Sequence, residues 1–228
     1  GLDYPATTPT LLTRYAKICA EEALSVSFKA AGAVYYVIRG EGCSTQDNNV
    51  IEWRAGDLFC FPGAGKTVHQ AGARDSLLFL ATNEPLLSID RLSPPPPAEA
   101  VVETVHWPAD EITRQFEPVL RRPITEKTSG HAVLFSSSAL GGSTNILPTV
   151  NCALNTLESG KDQRPHRHNG VAVTLCIRGQ GVYSQIDDQR VDWIDFGVQI
   201  TPPAALHSHH NRGPKRMECL IFQDEALF

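Results

Sequence analysis

The chain carries one motif twice. Val34-Tyr-Tyr-Val-Ile-Arg-Gly-Glu-Gly42 leads to Trp53, and Val173-Thr-Leu-Cys-Ile-Arg-Gly-Gln-Gly181 leads to Trp193, so the Trp follows the first Gly of a shared I-R-G-[EQ]-G signature by 13 or 14 residues. A spacing of about 140 residues is too long for a solenoid repeat and implies two copies of one domain. With 228 residues there is room for two such copies, each burying a core of its own. The 17 Gly and 16 Pro break the chain into short apolar stretches, which favours strands joined by turns over long helices. The expected fold class is mainly β.

Ser93-Pro-Pro-Pro-Pro97 can continue neither sheet nor helix and reads as a stiff extended linker. It places a first domain at 1–92, a linker at 93–130 and a second domain at 131–228. Within the linker, Pro108-Ala-Asp-Glu-Ile-Thr-Arg-Gln-Phe-Glu117 has Pro at a first helical position and acids in the first turn, which predicts a short helix. Ser129-Gly130, Gly141-Gly142 and Asp187-Asp188 read as turns.

No stretch reaches the roughly 18 apolar residues of a membrane-spanning helix. The formal charge of −5 and the scattered basic residues give no footprint for nucleic acid or an anionic membrane surface, so small molecules are the expected partners. The six cysteines include no C-x-x-C pair and read as reduced, mostly buried thiols, as in a cytoplasmic protein.

Five of the eight histidines fall in two short clusters, Pro165-His166-Arg-His168 and Leu206-His207-Ser-His209-His210. If the first cluster is a strand, His166 and His168 at i and i+2 share a face and can chelate one ion. A third ligand must then come from another strand, from among His207, His209 and His210. Histidine is the commonest metal-coordinating side chain, binding through a neutral ring nitrogen.

The two clusters resemble the paired motifs of the cupin superfamily, small antiparallel jelly-roll-like β-barrels. Gly160, His166, His168 and Gly179 meet the first motif, G-x5-H-x-H-x3-4-E-x6-G, with Ala172 where the Glu belongs. Pro202, His207 and Asn211 meet the second, G-x5-P-x-G-x2-H-x3-N, with Phe196 and Ala204 in its two Gly positions. The resemblance implies a bicupin whose second barrel holds metal through His166, His168 and His207. Applying the repeat offset puts Ser27, Lys29 and Thr67 at the matching places of the first barrel, where they are poor ligands, and puts His69 opposite His209.

Within the cupins, Arg164-Pro-His-Arg-His168 and His207-Ser-His209-His-Asn211 are similar to the gentisate 1,2-dioxygenase and salicylate 1,2-dioxygenase group. That resemblance implies an Fe(II)-dependent, ring-cleaving dioxygenase acting with dioxygen on a hydroxylated aromatic acid or a related chelating substrate. His209 then orients the substrate or accepts its phenolic proton, and Asn155 and Thr174 line the pocket. Thr174 stands where the group uses Arg to hold a carboxylate, which turns expectation away from gentisate. Mn(II) and Ni(II) are other candidate ions, and a homo-oligomer is expected. Two other readings fit the same histidines: a three-histidine Zn(II) hydrolase or lyase, and a non-catalytic metal- or ligand-binding cupin.

Overall fold

A computed structural model describes residues 5–123 and 130–224. The chain divides into two compact units, residues 1–113 with 136–149, and residues 114–135 with 150–228. In the first unit the strands are β1 (Leu12–Ile18), β2 (Ala23–Val26), β3 (Gly32–Arg39), β4 (Glu41–Gln46), β5 (Asn49–Arg54), β6 (Leu58–Pro62), β7 (Thr67–Ala71), β8 (Ser76–Thr82) and β9 (Val105–Trp107). They form one sheet in the order β1-β8-β3-β6-β9 and a second in the order β2-β7-β4-β5, with antiparallel neighbours throughout.

The second unit is built on β10 (His131–Phe135), while β11 (Asn145–Leu147) lies in the returning segment of the first. It continues with β12 (Val150–Leu157), β13 (Ala172–Arg178), β14 (Val182–Ile186), β15 (Gln189–Asp192), β16 (Val198–Thr201), β17 (His207–Asn211) and β18 (Met217–Gln223). One sheet runs β10-β12-β18-β13-β16 and the other β15-β14-β17, again antiparallel.

Each unit closes its two sheets over an apolar interior, as period-2 alternation of strand side chains requires. In the first, Tyr35, Phe59, Phe61 and Leu78 of one sheet pack on Ile51, Trp53 and Ala71 of the other. In the second, Leu157, Cys176, Met217 and Cys219 pack with Val182 and Trp193. Fully burying side chains of this size contributes about 1.5–3 kcal/mol each.

The polyproline segment is followed by structure that belongs to the first unit as far as residue 113, beyond the expected limit at 92, and to the second unit from 114. Val105–Trp107 pairs with β6, and the predicted helix forms as α2, Ala109–Leu120. Asp57 holds this stretch: its buried carboxylate accepts from the Ala109 N–H (2.8 Å) and from His106 Nε2 (2.9 Å). A short helix α1, Glu84–Ile89, follows β8.

The duplication extends to backbone strain. Three residues of the first unit have left-handed φ at places that recur in the second: Asp47 (51°) and Asp187 (46°), Gly56 (92°) and Phe196 (59°), Ala64 (61°) and Ala204 (61°). Phe196 and Ala204 are the two departures from Gly in the second motif. The turn geometry is retained without the residue that adopts it most easily.

Candidate metal centre

His207 opens β17, and its backbone exchanges hydrogen bonds with His166 in both directions, at 3.0 and 2.9 Å. The expected strand through His166 and His168 is instead an extended segment fixed to β17 by isolated bridges, Asp162 to His210 and His166 to His207. Pro165 has no N–H to give to a continuous ladder. The rings nonetheless lie near one another, with centroids 4.2 Å apart for His166 and His207, 4.6 Å for His168 and His207, and 6.1 Å for His166 and His168.

All three rings are oriented in the same way. Nδ1 of His166 donates to the Arg164 carbonyl (3.1 Å), Nδ1 of His168 to the Gly170 carbonyl (2.7 Å), and Nδ1 of His207 to the Ala205 carbonyl (3.1 Å). A carbonyl oxygen only accepts, so each Nδ1 carries a proton, and in a neutral ring the lone pair then lies on Nε2. Metal-bound histidines are commonly fixed by such a hydrogen bond. Rings bound to one ion through Nε2 at about 2.1 Å would have centroids roughly 4.5–5.5 Å apart, within the spread found here. Among the described residues no group of three or more His, Cys, Asp or Glu side chains stands in position to hold a metal ion. The donor set fits a divalent transition ion: three imidazoles, with Ala172 buried on β13 where the cupin motif has a carboxylate. Burial pushes the His207 ring down to about 4, which keeps it unprotonated and available as a ligand at neutral pH.

The remaining histidines of the cluster separate by strand alternation. His209 points inward, buried against Trp193 with ring centroids 5.3 Å apart, whereas His210 stacks on Tyr183 and bonds Asp162 at 2.6 Å. Burial pushes the His209 ring down to about 3, which keeps it uncharged at neutral pH. Asn211 has an architectural part: its side chain donates to the Leu157 and Lys215 carbonyls and accepts from the Gly213 N–H.

Asn155 lies on β12 with a buried Oδ1 that has no hydrogen-bond partner, and Thr174 is buried on β13 beside β16. Two features escaped the sequence reading. Ser184 lies between Trp193 and His209: the indole N–H donates to its hydroxyl at 2.8 Å, and that hydroxyl lies 2.8 Å from His209 Nδ1. Gln199 of β16 is buried with neither amide atom partnered. The serine had a detectable signal, since Ser44 and Ser184 each precede the repeated Trp by nine residues. Gln199 had none, because burial of one side of an edge strand is a tertiary fact.

In the first unit Ser27 and Lys29 are exposed, and Thr67 accepts from Gln46 Nε2 at 3.0 Å. These three positions assemble no ligand set.

Salicylate 1,2-dioxygenase from Pseudoaminobacter salicylatoxidans, in crystals of its adducts with gentisate, superposes with a TM-score of 0.80 at 13% identity, over 96% of this chain and 69% of that one. The chain has the bicupin fold. At the level of sequence it is similar to 5-aminosalicylate 1,2-dioxygenase of a Comamonas species, 31% identical over 81 residues, which are 36% of this chain and 22% of the relative. It is also similar to 1-hydroxy-2-naphthoate 1,2-dioxygenase of Nocardioides sp. strain KP7, 22% identical over 108 residues, 47% of this chain and 28% of the relative. The bicupin chain thus spans only about a quarter of the length of the curated relatives it matches. No family model matches it. No helix among the described residues is long and apolar enough to cross a membrane.

Proposed function

We propose that the second unit of this bicupin binds one divalent ion through Nε2 of His166, His168 and His207, and that the loaded protein is an Fe(II)-dependent, ring-cleaving dioxygenase for a chelating hydroxylated aromatic. The observation that carries this reading is the shared tautomer of the three rings, each fixed by Nδ1–H donation to a backbone carbonyl. Similarity to dioxygenases of 5-aminosalicylate and 1-hydroxy-2-naphthoate supports the reaction class.

When bound, Fe(II) supplies a site for the substrate's oxygens and for dioxygen, and a path for electrons between them. The chain's own residues do the rest. His166, His168 and His207 would hold the ion, and Ala172 would bring no carboxylate to compete with an anionic substrate oxygen. His209, held by Ser184, presents an uncharged ring to the substrate and orients it. Asn155 and Thr174 offer hydrogen bonds without charge.

The test is metal analysis of protein purified without added metal, then anaerobic Fe(II) loading and oxygen uptake with salicylates, gentisate and hydroxynaphthoates. One ion per chain, lost in His166→Ala and His207→Ala, and oxygen consumed with ring cleavage are the expected results. Retention of the ion in both variants overturns the ligand assignment. Three imidazoles without a carboxylate are also the set that activates water on Zn(II); tightly held zinc and no oxygen uptake after iron loading would favour that second reading.

A further inference from the structure

The two units use the same strand register for opposite ends. In the first, Tyr35 pairs with Phe59 and Ala33 with Phe61; in the second, Thr174 pairs with Gln199 and Ala172 with Thr201. The repeat therefore sets Thr174 against Tyr35, Gln199 against Phe59 and Thr201 against Phe61. The three aromatics close the first interior: Tyr35 stacks on Phe59 at 4.9 Å and 13°, and Phe59 meets Phe61 edge-on at 6.0 Å. Three polar side chains stand in the second at the same places. They are not surface residues, for Thr174 is 1% exposed and Gln199 7%.

These groups face the barrel interior. Thr174 lies two residues from Cys176, which packs with Trp193 in the core cluster, and Gln199 is directly opposite Thr174. On the same face, Asn155 is in register with Cys219, and Cys219 with Cys176. The Gln199 amide oxygen, the Gln199 amide nitrogen and Asn155 Oδ1 all lack a partner in the protein. A buried amide with nothing to bond is costly, and such a group calls for an explanation. No Lys or Arg is buried among the described residues. Arg178, an alternative source of positive charge, pairs with Glu218 at 3.4 Å and is exposed.

We infer that Gln199 is a specificity-determining residue of the second unit, pairing its carboxamide with an uncharged donor-and-acceptor group, such as a carboxamide, on the ring of a chelating hydroxyaromatic ligand. The inference rests on the reading of the three histidines as a substrate-chelating centre. An amide side chain presents one acceptor and a donor side by side, and a ligand carboxamide complements both. A carboxylate there brings acceptors alone, facing Gln199 Oε1 without a cation to offset its desolvation. A methyl group leaves both Gln199 atoms unpaired.

The test compares 2-hydroxybenzoates that share one chelating head and carry carboxamide, carboxylate or methyl at ring position 4 or 5. Affinities are measured by titration calorimetry on metal-loaded and metal-free wild type, Gln199→Met and His207→Ala, with bound metal assayed on each sample. Attraction to the ion is common to all ligands, so their ratio reports the ring substituent. For one substitution position the wild type is expected to bind the carboxamide about tenfold or more tightly than either partner, as two neutral hydrogen bonds allow. Gln199→Met is expected to erase that preference, retain its metal and unfold at higher denaturant, because it removes an unpaired buried amide. Equal affinities in the wild type, or a preference unchanged in Gln199→Met, overturn the inference. A wild type without metal, or affinities indifferent to His207→Ala, overturns the chelating reading instead, and the substituent ratio in metal-free protein still decides the part of Gln199.

Discussion

Ser184 Oγ lies 2.8 Å from Nδ1 of His209. Ser44 Oγ lies 2.6 Å from Nδ1 of His69, and each serine also accepts from an indole N–H, of Trp193 at 2.8 Å and of Trp53 at 2.7 Å. The Trp–Ser–His chain is thus present in the unit that has His166, His168 and His207 and in the one that has Ser27, Lys29 and Thr67 instead. A feature shared by both belongs first to the architecture, where it ties β4, β5 and β7, and their counterparts, across the small sheet. Ser44→Ala leaves an indole N–H and an imidazole nitrogen without their partner in a dry interior, and about 1–3 kcal/mol of stability should be lost. Urea unfolding measures the loss, and metal content should stay at the wild-type value. A neutral Ser44→Ala would show that the chain carries no structural weight.

His69 sits beneath the aromatics of the first unit, 4.7 Å from the Tyr35 ring, and its Nε2 is buried without a partner. Burial pushes its pKa from 6.5 down to about 4. The unfolded state therefore binds a proton that the folded state refuses between those values. Its contribution is fully present above pH 6.5 and is lost as pH falls towards 4, by about 3 kcal/mol for a shift of this size. NMR titration of the His69 ring should show no protonation until below pH 5, with the unfolding free energy falling through the same window. A midpoint near 6.5 would mean that the interior is wet.

The duplication, the mainly β class and the gathering of His166, His168 and His207 were legible because each rests on local pattern: a repeated I-R-G-[EQ]-G, frequent Gly and Pro, and motif spacing. What was not legible depends on register. Nothing local marks Val105–Trp107 as a strand of the first unit, since three residues after a proline run acquire that identity only by pairing with β6. Sequence does not reveal that Trp193 covers the His209 ring. Gln199 reads as one more polar residue on a strand until Thr174 is found opposite it.

Ala204 is exposed and left-handed, with φ 61°, in the turn that delivers His207. Its N–H donates to the His168 carbonyl at 2.9 Å, and its carbonyl accepts from the Arg167 side chain, so the conformation is held from both sides. An L-residue in this region costs about 1–2 kcal/mol, partly offset by the larger unfolded-state entropy of Gly. Ala204→Gly should therefore stabilise the protein by about 0.5–1 kcal/mol in urea unfolding. A loss of stability would mean that the Ala methyl makes packing contacts outweighing the backbone strain.

Thr174 occupies the place where the similar dioxygenases are expected to use Arg for a substrate carboxylate. It is buried on β13, so a guanidinium introduced there must be both accommodated and paired. Two acceptors without partners stand on the same face, Gln199 Oε1 and Asn155 Oδ1, and they can take some of the five donors such a side chain brings. The remaining donors can grip a carboxylate with two parallel, charge-assisted hydrogen bonds, worth a few kcal/mol in a dry site. Thr174→Arg in iron-loaded protein should then raise kcat/KM for gentisate by roughly a hundredfold, at some expense in stability from the added bulk. The gain should shrink in a double variant that also carries Gln199→Met, because one of the acceptors that settles the guanidinium is gone. Fast gentisate cleavage by the wild type, left unchanged by Thr174→Arg in a protein that still folds and holds its ion, would show that position 174 does not face the substrate.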